Sequence, residues 1–147
     1  MKKFVIAFTL VASVFTKSSF ANDGAAIAPE VLKSFQSTFA AAKDADWSVT
    51  QNMYKVQFAL NEQHITAFYN QDGSMAALTR NISPLQLPVS LQASLKNNYK
   101  GYWIAELFEL SNDDGVQYYV TLENADGKLV LKSTAATWNY FQKLRKD

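Results

Sequence analysis

The 147-residue chain contains no cysteine. That excludes disulfides, a thiol nucleophile, a cysteine-held metal and a lipid-anchored cysteine at an export cleavage site. His64 is the only histidine. One imidazole without cysteine partners cannot seed a transition-metal site. As a general acid-base it would need a carboxylate or nucleophile held beside it, and Glu62, two residues away across a turn, is not placed by its spacing. The serines have no visible base partner. Only five glycines occur, in a leader, at turns or past helix ends, so no phosphate-cradling loop is present. The run Asn112-Asp113-Asp114-Gly115 lacks the alternating oxygens and distal glutamate of a calcium loop and reads as a solvated turn. Net charge is +1, which gives a nucleic-acid backbone nothing to hold. The residues therefore describe a chain that is not an enzyme and carries no cofactor.

What is present begins with an address. Lys2 and Lys3 precede an apolar run from Phe4 to Phe15, too short to span a bilayer, and Ser19 and Ala21 are small residues in the spacing a signal peptidase accepts. Residues 1–21 read as a cleavable signal peptide and 22–28 as a flexible leader. Loss of Lys2, Lys3 and Lys17 would take the mature charge from +1 to about −2. No later run is long enough to cross a membrane. The expected location is the periplasm or the exterior.

The mature chain alternates helical and strand periodicity. Pro29 suits the first turn of a helix, and Leu32, Phe35, Phe39 and Ala42 follow as one apolar stripe, ended by Lys43 to Asp46. Trp47 and Val49 start a short strand. Tyr54, Val56, Phe58 and Leu60 then alternate with polar neighbours, and a turn at Asn61-Glu62 leads to a strand from His64 to Asn70. Asp72-Gly73 marks a hairpin, and Ser74 to Arg80 returns. The pattern then restarts. Pro88, Leu91, Leu95 and Tyr99 form a second helix stopped by Lys100-Gly101. Strands follow over Tyr102 to Leu110, Gln117 to Asn124 and Lys128 to Ser133, with Asp126-Gly127 between the last two. The tail TWNYFQKLRKD fits either a last strand or a short docked helix.

Set side by side, Pro29 matches Pro88, Phe39 matches Tyr99, Trp47 matches Trp103, YKVQF matches YYVTL, and Asp72-Gly73 matches Asp126-Gly127. The reading is one α+β domain, 29–147, made of two repeats, 29–82 and 88–138. Each is a helix followed by antiparallel strands. The two form one continuous antiparallel sheet with both helices on one face.

The segments LKSFQSTFAAAKDADW, YKVQF, FYNQDGSM, TRNI and LPVSLQASLKNNYKGYWI resemble the PepSY-like family of small exported bacterial proteins, common in the Bacteroidetes. The resemblance covers most of the mature chain. It implies the fold of the β-lactamase-inhibitor proteins and brings no catalytic residues with it.

Strand alternation puts Tyr54, Val56, Phe58, Ile65, Ala67, Tyr69, Tyr118, Val120, Leu122, Leu129 and Leu131 under the helices. The other face then carries a polar surface with isolated aromatics. Its expected partner-binding residues are Phe68, Tyr119, His64, Thr66, Glu123 and Lys132, with Phe68 and Tyr119 as anchors. The function expected is a non-enzymatic exported binding module for an unknown protein or peptide of the cell envelope, with protease or hydrolase inhibition as one form. The alternative is a periplasmic accessory protein holding a small ligand, peptide or glycan in a cleft between repeats lined by Trp47 and Trp103.

Overall fold

A computed structural model describes residues 26–145. The expected signal peptide and most of the expected leader lie outside the described residues. The elements run α1 (Pro29–Thr38), β1 (Lys43–Thr50), β2 (Met53–Leu60), β3 (Gln63–Tyr69), β4 (Met75–Asn81), a short 3-10 turn (Pro84–Gln86), α2 (Val89–Asn98), β5 (Trp103–Asn112), β6 (Gly115–Glu123), β7 (Lys128–Thr134) and β8 (Thr137–Leu144). The strands form one antiparallel sheet in the order β1 to β8, so each strand pairs with the next in sequence. Among the described residues no helix is long and apolar enough to cross a membrane.

Both helices cover the same side. Register partners share a face, and the chain of partners Val56–Ala67–Leu78 leads into Arg80–Glu109 and on to Leu107–Val120–Leu131. α1 buries Val31 and Phe35 against Val56, Phe58, Ile65, Ala67 and Tyr69. α2 buries Leu91 against Leu107, Val120, Leu122, Leu131 and Trp138. These are two separate apolar clusters under one sheet. The seam between them is β4–β5, where the Arg80 guanidinium donates two hydrogen bonds to the Glu109 carboxylate, at 2.9 and 3.2 Å. Glu109 holds Arg80 firmly charged, its pKa raised by that hydrogen bond and the opposite charge.

The two halves repeat one plan, but the structure moves three of its landmarks. Helix caps correspond at a constant offset: Phe39 N–H donates to Phe35 C=O as Tyr99 N–H donates to Leu95 C=O. Trp47 pairs with Val56 as Leu107 pairs with Val120. So YKVQF does match YYVTL, while the partner of Trp47 is Leu107, not Trp103. Pro29 is the first helical residue of α1 but Pro88 is the N-cap of α2, one position out of step. The Asp-Gly turns are not equivalent either. Asp72-Gly73 joins β3 to β4, whereas Asp126-Gly127 joins β6 to β7, the place taken by Asn61-Glu62 in the first half.

The turn chemistry explains the difference. Two of the two-residue hairpins, Gln51-Asn52 and Asn61-Glu62, put two consecutive residues at positive φ without any glycine. Gly73 is at φ +88°, but Gly127 is not in the left-handed region. There the Asn124 carboxamide oxygen accepts from the backbone N–H of Asp126 (2.9 Å) and Gly127 (3.0 Å) and organises the turn instead. At the first turn Ser74 N–H (2.8 Å) and its hydroxyl donate to Asp72, holding that carboxyl below the usual range.

Other boundaries shift. α1 stops at Thr38, a turn before Ala42, because β1 begins at Lys43 with a bulge before Asp46. The tail is a strand, β8, anchored by a hydrogen bond from Trp138 Nε1 to the Leu91 carbonyl of α2 (3.0 Å).

Among the described residues one buried side-chain polar atom has no hydrogen-bond partner: Tyr69 Oη, on a fully buried side chain in the first core. Desolvation pushes this phenol's pKa up. Tyr69→Phe removes an unsatisfied group and is expected to stabilise by about 1 kcal/mol. The raised pKa means the wild-type core keeps its stability below the phenol's ordinary pKa and loses it as pH climbs beyond, whereas the Phe variant lacks that alkaline loss. Urea melts at neutral and alkaline pH check this; a variant less stable than wild type at both would contradict it.

Candidate functional site

The face that carries no helix is built by register. Asn81, Phe108, Tyr119, Lys132 and Asn139 are successive partners across β4 to β8. The next row holds Glu106, Thr121, Val130 and Gln142, and beyond it Trp103, Glu123, Lys128 and Leu144. On the first half, Lys55, Phe68 and Ala77 form one row and Gln57, Thr66 and Thr79 another, which Leu110 and Gln117 continue.

The face is not a polar field with lone aromatics. Phe108 and Tyr119 lie stacked, with ring centroids 5.1 Å apart and planes 9° from parallel, and Phe141 meets Tyr119 edge-on at 5.5 Å. Lys132 Nζ sits 5.7 Å from the centre of the Tyr119 ring, within reach of a cation–π attraction. With Leu110 these rings make a third apolar cluster, on the side opposite the helices. Tyr119 is only 5% exposed, so its ring is packed against its neighbours instead of projecting as an anchor. That corrects one expected contact. Trp103, at 52% exposure, is the large side chain this end of the face presents.

The six expected residues fall into two groups. His64, Thr66 and Phe68 lie on β3, His64 exposed and the others partly so. Tyr119, Glu123 and Lys132 lie on β6 and β7, with Glu123 3.7 Å from Lys128 Nζ. β3 and β6 are three strands apart, about 14 Å at ordinary strand spacing, so the sheet places all six on one face but not in one spot.

Sequence reasoning missed Phe108, Leu110 and Phe141, and it placed Trp103 in a cleft with Trp47, not on this face. Strict alternation from Trp103 would put it on the covered side with Leu107. A bulge between Ile104 and Glu106 adds one residue and reverses the parity, sending Trp103 to the open face that Phe108 occupies. Phe141 belongs to β8, whose element type the sequence left open. Trp47, meanwhile, packs edge-on against Phe35 (5.2 Å) beneath α1. Trp47 and Trp103 therefore lie in different halves and on opposite faces, and the expected inter-repeat cleft between them does not exist.

Among the described residues no three His, Cys, Asp or Glu side chains converge in a way that could hold a metal ion.

No protein-family model matches the chain, and no curated protein matches it in sequence. Solved structures do match its fold. A DUF2874 family protein from Bacteroides ovatus superposes with a TM-score of 0.70 at 15% identity, covering 80% of this chain and 86% of the other. A BLIP-like protein from Bacteroides fragilis gives 0.65 at 12% identity, covering 79% and 84%. A candidate periplasmic protein from Bacteroides eggerthii gives 0.74 at 11% identity, covering 80% and 90%. At such identities the likeness concerns the fold, which is that of the BLIP-like proteins.

Proposed function

We propose that this chain is an exported, non-enzymatic binding module of the PepSY-like kind, acting in the periplasm or outside the cell, which holds a protein or peptide partner against the helix-free face of its sheet. Hydrolase or protease inhibition is the form of binding that its structural kinship favours, because it shares a fold with a BLIP-like protein. The observation that carries the reading is the aromatic cluster on the open side. A rigid sheet holds Phe108, Tyr119 and Phe141 together with Lys132 above them and the exposed Trp103 in the neighbouring rows. A solvated face that only needed solubility has no cause to concentrate rings there. The packed rings stiffen the sheet, and the exposed Trp103 it presents is the kind of aromatic that protein interfaces use for anchoring.

The test must avoid the packed rings, since truncating Tyr119 would damage the fold itself. Phe68→Ala and Trp103→Ala probe the two ends of the face at partly or well exposed positions. The purified chain, immobilised, is presented with a panel of purified secreted serine hydrolases and proteases and read by binding and by inhibition. Expected is one partner whose affinity falls at least about tenfold in one of these variants. A partner bound equally by wild type and both variants removes this face from the interaction.

A further inference from the structure

The two halves differ in how they fill the space between the helix and the sheet. In the first, four aromatic rings close it: Phe35 lies 5.2 Å from Trp47 and 5.1 Å from Phe58, and Phe39 lies 4.7 Å from Phe58. By the offsets above, the same four positions in the second half are Leu95, Leu107, Leu122 and Tyr99. Three rings have become leucines. A cleft of about 390 Å³ opens beside two of them, with Leu95, Tyr99, Tyr102, Ile104 and Leu122 along its walls, while Leu107 packs in the core with Trp138. The volume lies at the small end of the range that ligand sites occupy. The architecture does not demand this opening, because the sister unit fills the matching space.

The rim is charged in one sense. Lys96 and Lys100 line the opening, and no acidic residue among those described does. Their counterparts in the first half are the uncharged Gln36 and Ala40. The back wall is braced: Gln92 Nε2 donates to the Leu87 carbonyl at 2.8 Å and to the Leu85 carbonyl at 3.4 Å, tying the 3-10 turn to α2. Beside this cleft the second half thus carries leucines at two positions where the first half has rings, and two cations where the first half has none.

We propose that this cleft binds a small amphipathic carboxylate, its acyl chain lying between α2 and the start of β5 and its head group between Lys96 and Lys100. An aliphatic chain suits walls of leucine and isoleucine, and burying it supplies the affinity. The two ammonium groups select the anionic head over a neutral or cationic one. The site lies on the helix-covered side, so it is independent of any partner held on the open face.

The experiment titrates the purified chain with decanoate, decanol and decyltrimethylammonium, using calorimetry for affinity and backbone amide shifts for location. Expected is saturable decanoate binding in the millimolar range or tighter. Shifts should centre on Leu95, Tyr99, Ile104 and Leu122. Two variants separate the contributions. Lys96→Glu with Lys100→Glu should weaken decanoate by about tenfold, leave decanol little changed and strengthen decyltrimethylammonium. Leu95→Phe with Leu122→Phe adds ring volume to the cleft wall and should abolish decanoate binding. If the double-Phe chain misfolds, the surface lysine pair still decides. No saturable binding, equal affinity for all three head groups, or shifts confined to the open face would overturn the proposal.

Discussion

Trp138→Ala is expected to cost about 3–5 kcal/mol, the usual range for emptying a buried tryptophan site. Domains of this size hold together by only about 5–15 kcal/mol, so a large fraction of the variant would unfold at moderate urea. The size of the effect follows from what the indole does. It is buried among Leu91, Leu107, Val120 and Leu131, and its Nε1–H reaches across to the Leu91 carbonyl of α2. β8 is an edge strand with one neighbour, β7, so this contact is what pins the sheet's last strand to the helix. Trp138→Phe should cost less, because it keeps much of the ring and loses the hydrogen bond. Far-UV circular dichroism in urea reads both without depending on the tryptophan signal. A loss below about 1 kcal/mol for the alanine variant would mean that β8 is not docked as described.

The second large effect is at Gly73. Two costs coincide there. Its φ of +88° is strained for any residue with a Cβ, worth about 1–2 kcal/mol. A Cβ would also sit 3.0 Å from the backbone carbonyl oxygen of Glu30, at the start of α1. Backbone cannot swing aside as a side-chain tip can. Gly101 separates the two terms, since it shares φ +88° yet a Cβ at that position would meet nothing within 4 Å. Gly101→Ala should therefore lose only the backbone share, and Gly73→Ala about 1–3 kcal/mol more, because the β3–β4 turn and the helix start must separate. Equal losses in the two variants, measured side by side in urea, would show that the turn and the helix do not touch.

The architecture was readable where local signals and burial agree. The period-two runs at Tyr54–Leu60 and Tyr118–Leu122 assigned the faces of the central strands correctly, because those strands have no bulge within the paired stretch. The end of the second helix was read correctly at Tyr99 before Lys100-Gly101, whereas the first was carried a turn too far, to Ala42, although Phe39 closes it by the same backbone bond as Tyr99. Reading failed where one extra residue changes parity. The bulge after Ile104 decides which way Trp103 faces, and nothing in single-residue periodicity announces it. The Asp-Gly pairs misled for a related reason. The same dipeptide serves different turns, and at Asp126-Gly127 the organising group is the side chain of Asn124, upstream of the motif. The cleft under α2 was invisible for another cause: it stands out only when the packing of one half is laid over the other, and the equivalence of Phe58 with Leu122 that this needs depends on register.

Strand order has a consequence for how the chain comes together. Each strand's partner is the next to be synthesised, and the one long hop, from β4 to β5, merely carries the chain through α2. The first apolar cluster is complete once Leu78 has emerged, with no group borrowed from beyond it. Assembly can then proceed from the amino terminus as a ratchet, each new hairpin zipping onto a template already in place, with little loop entropy to overcome and few chances for strands to pair out of turn.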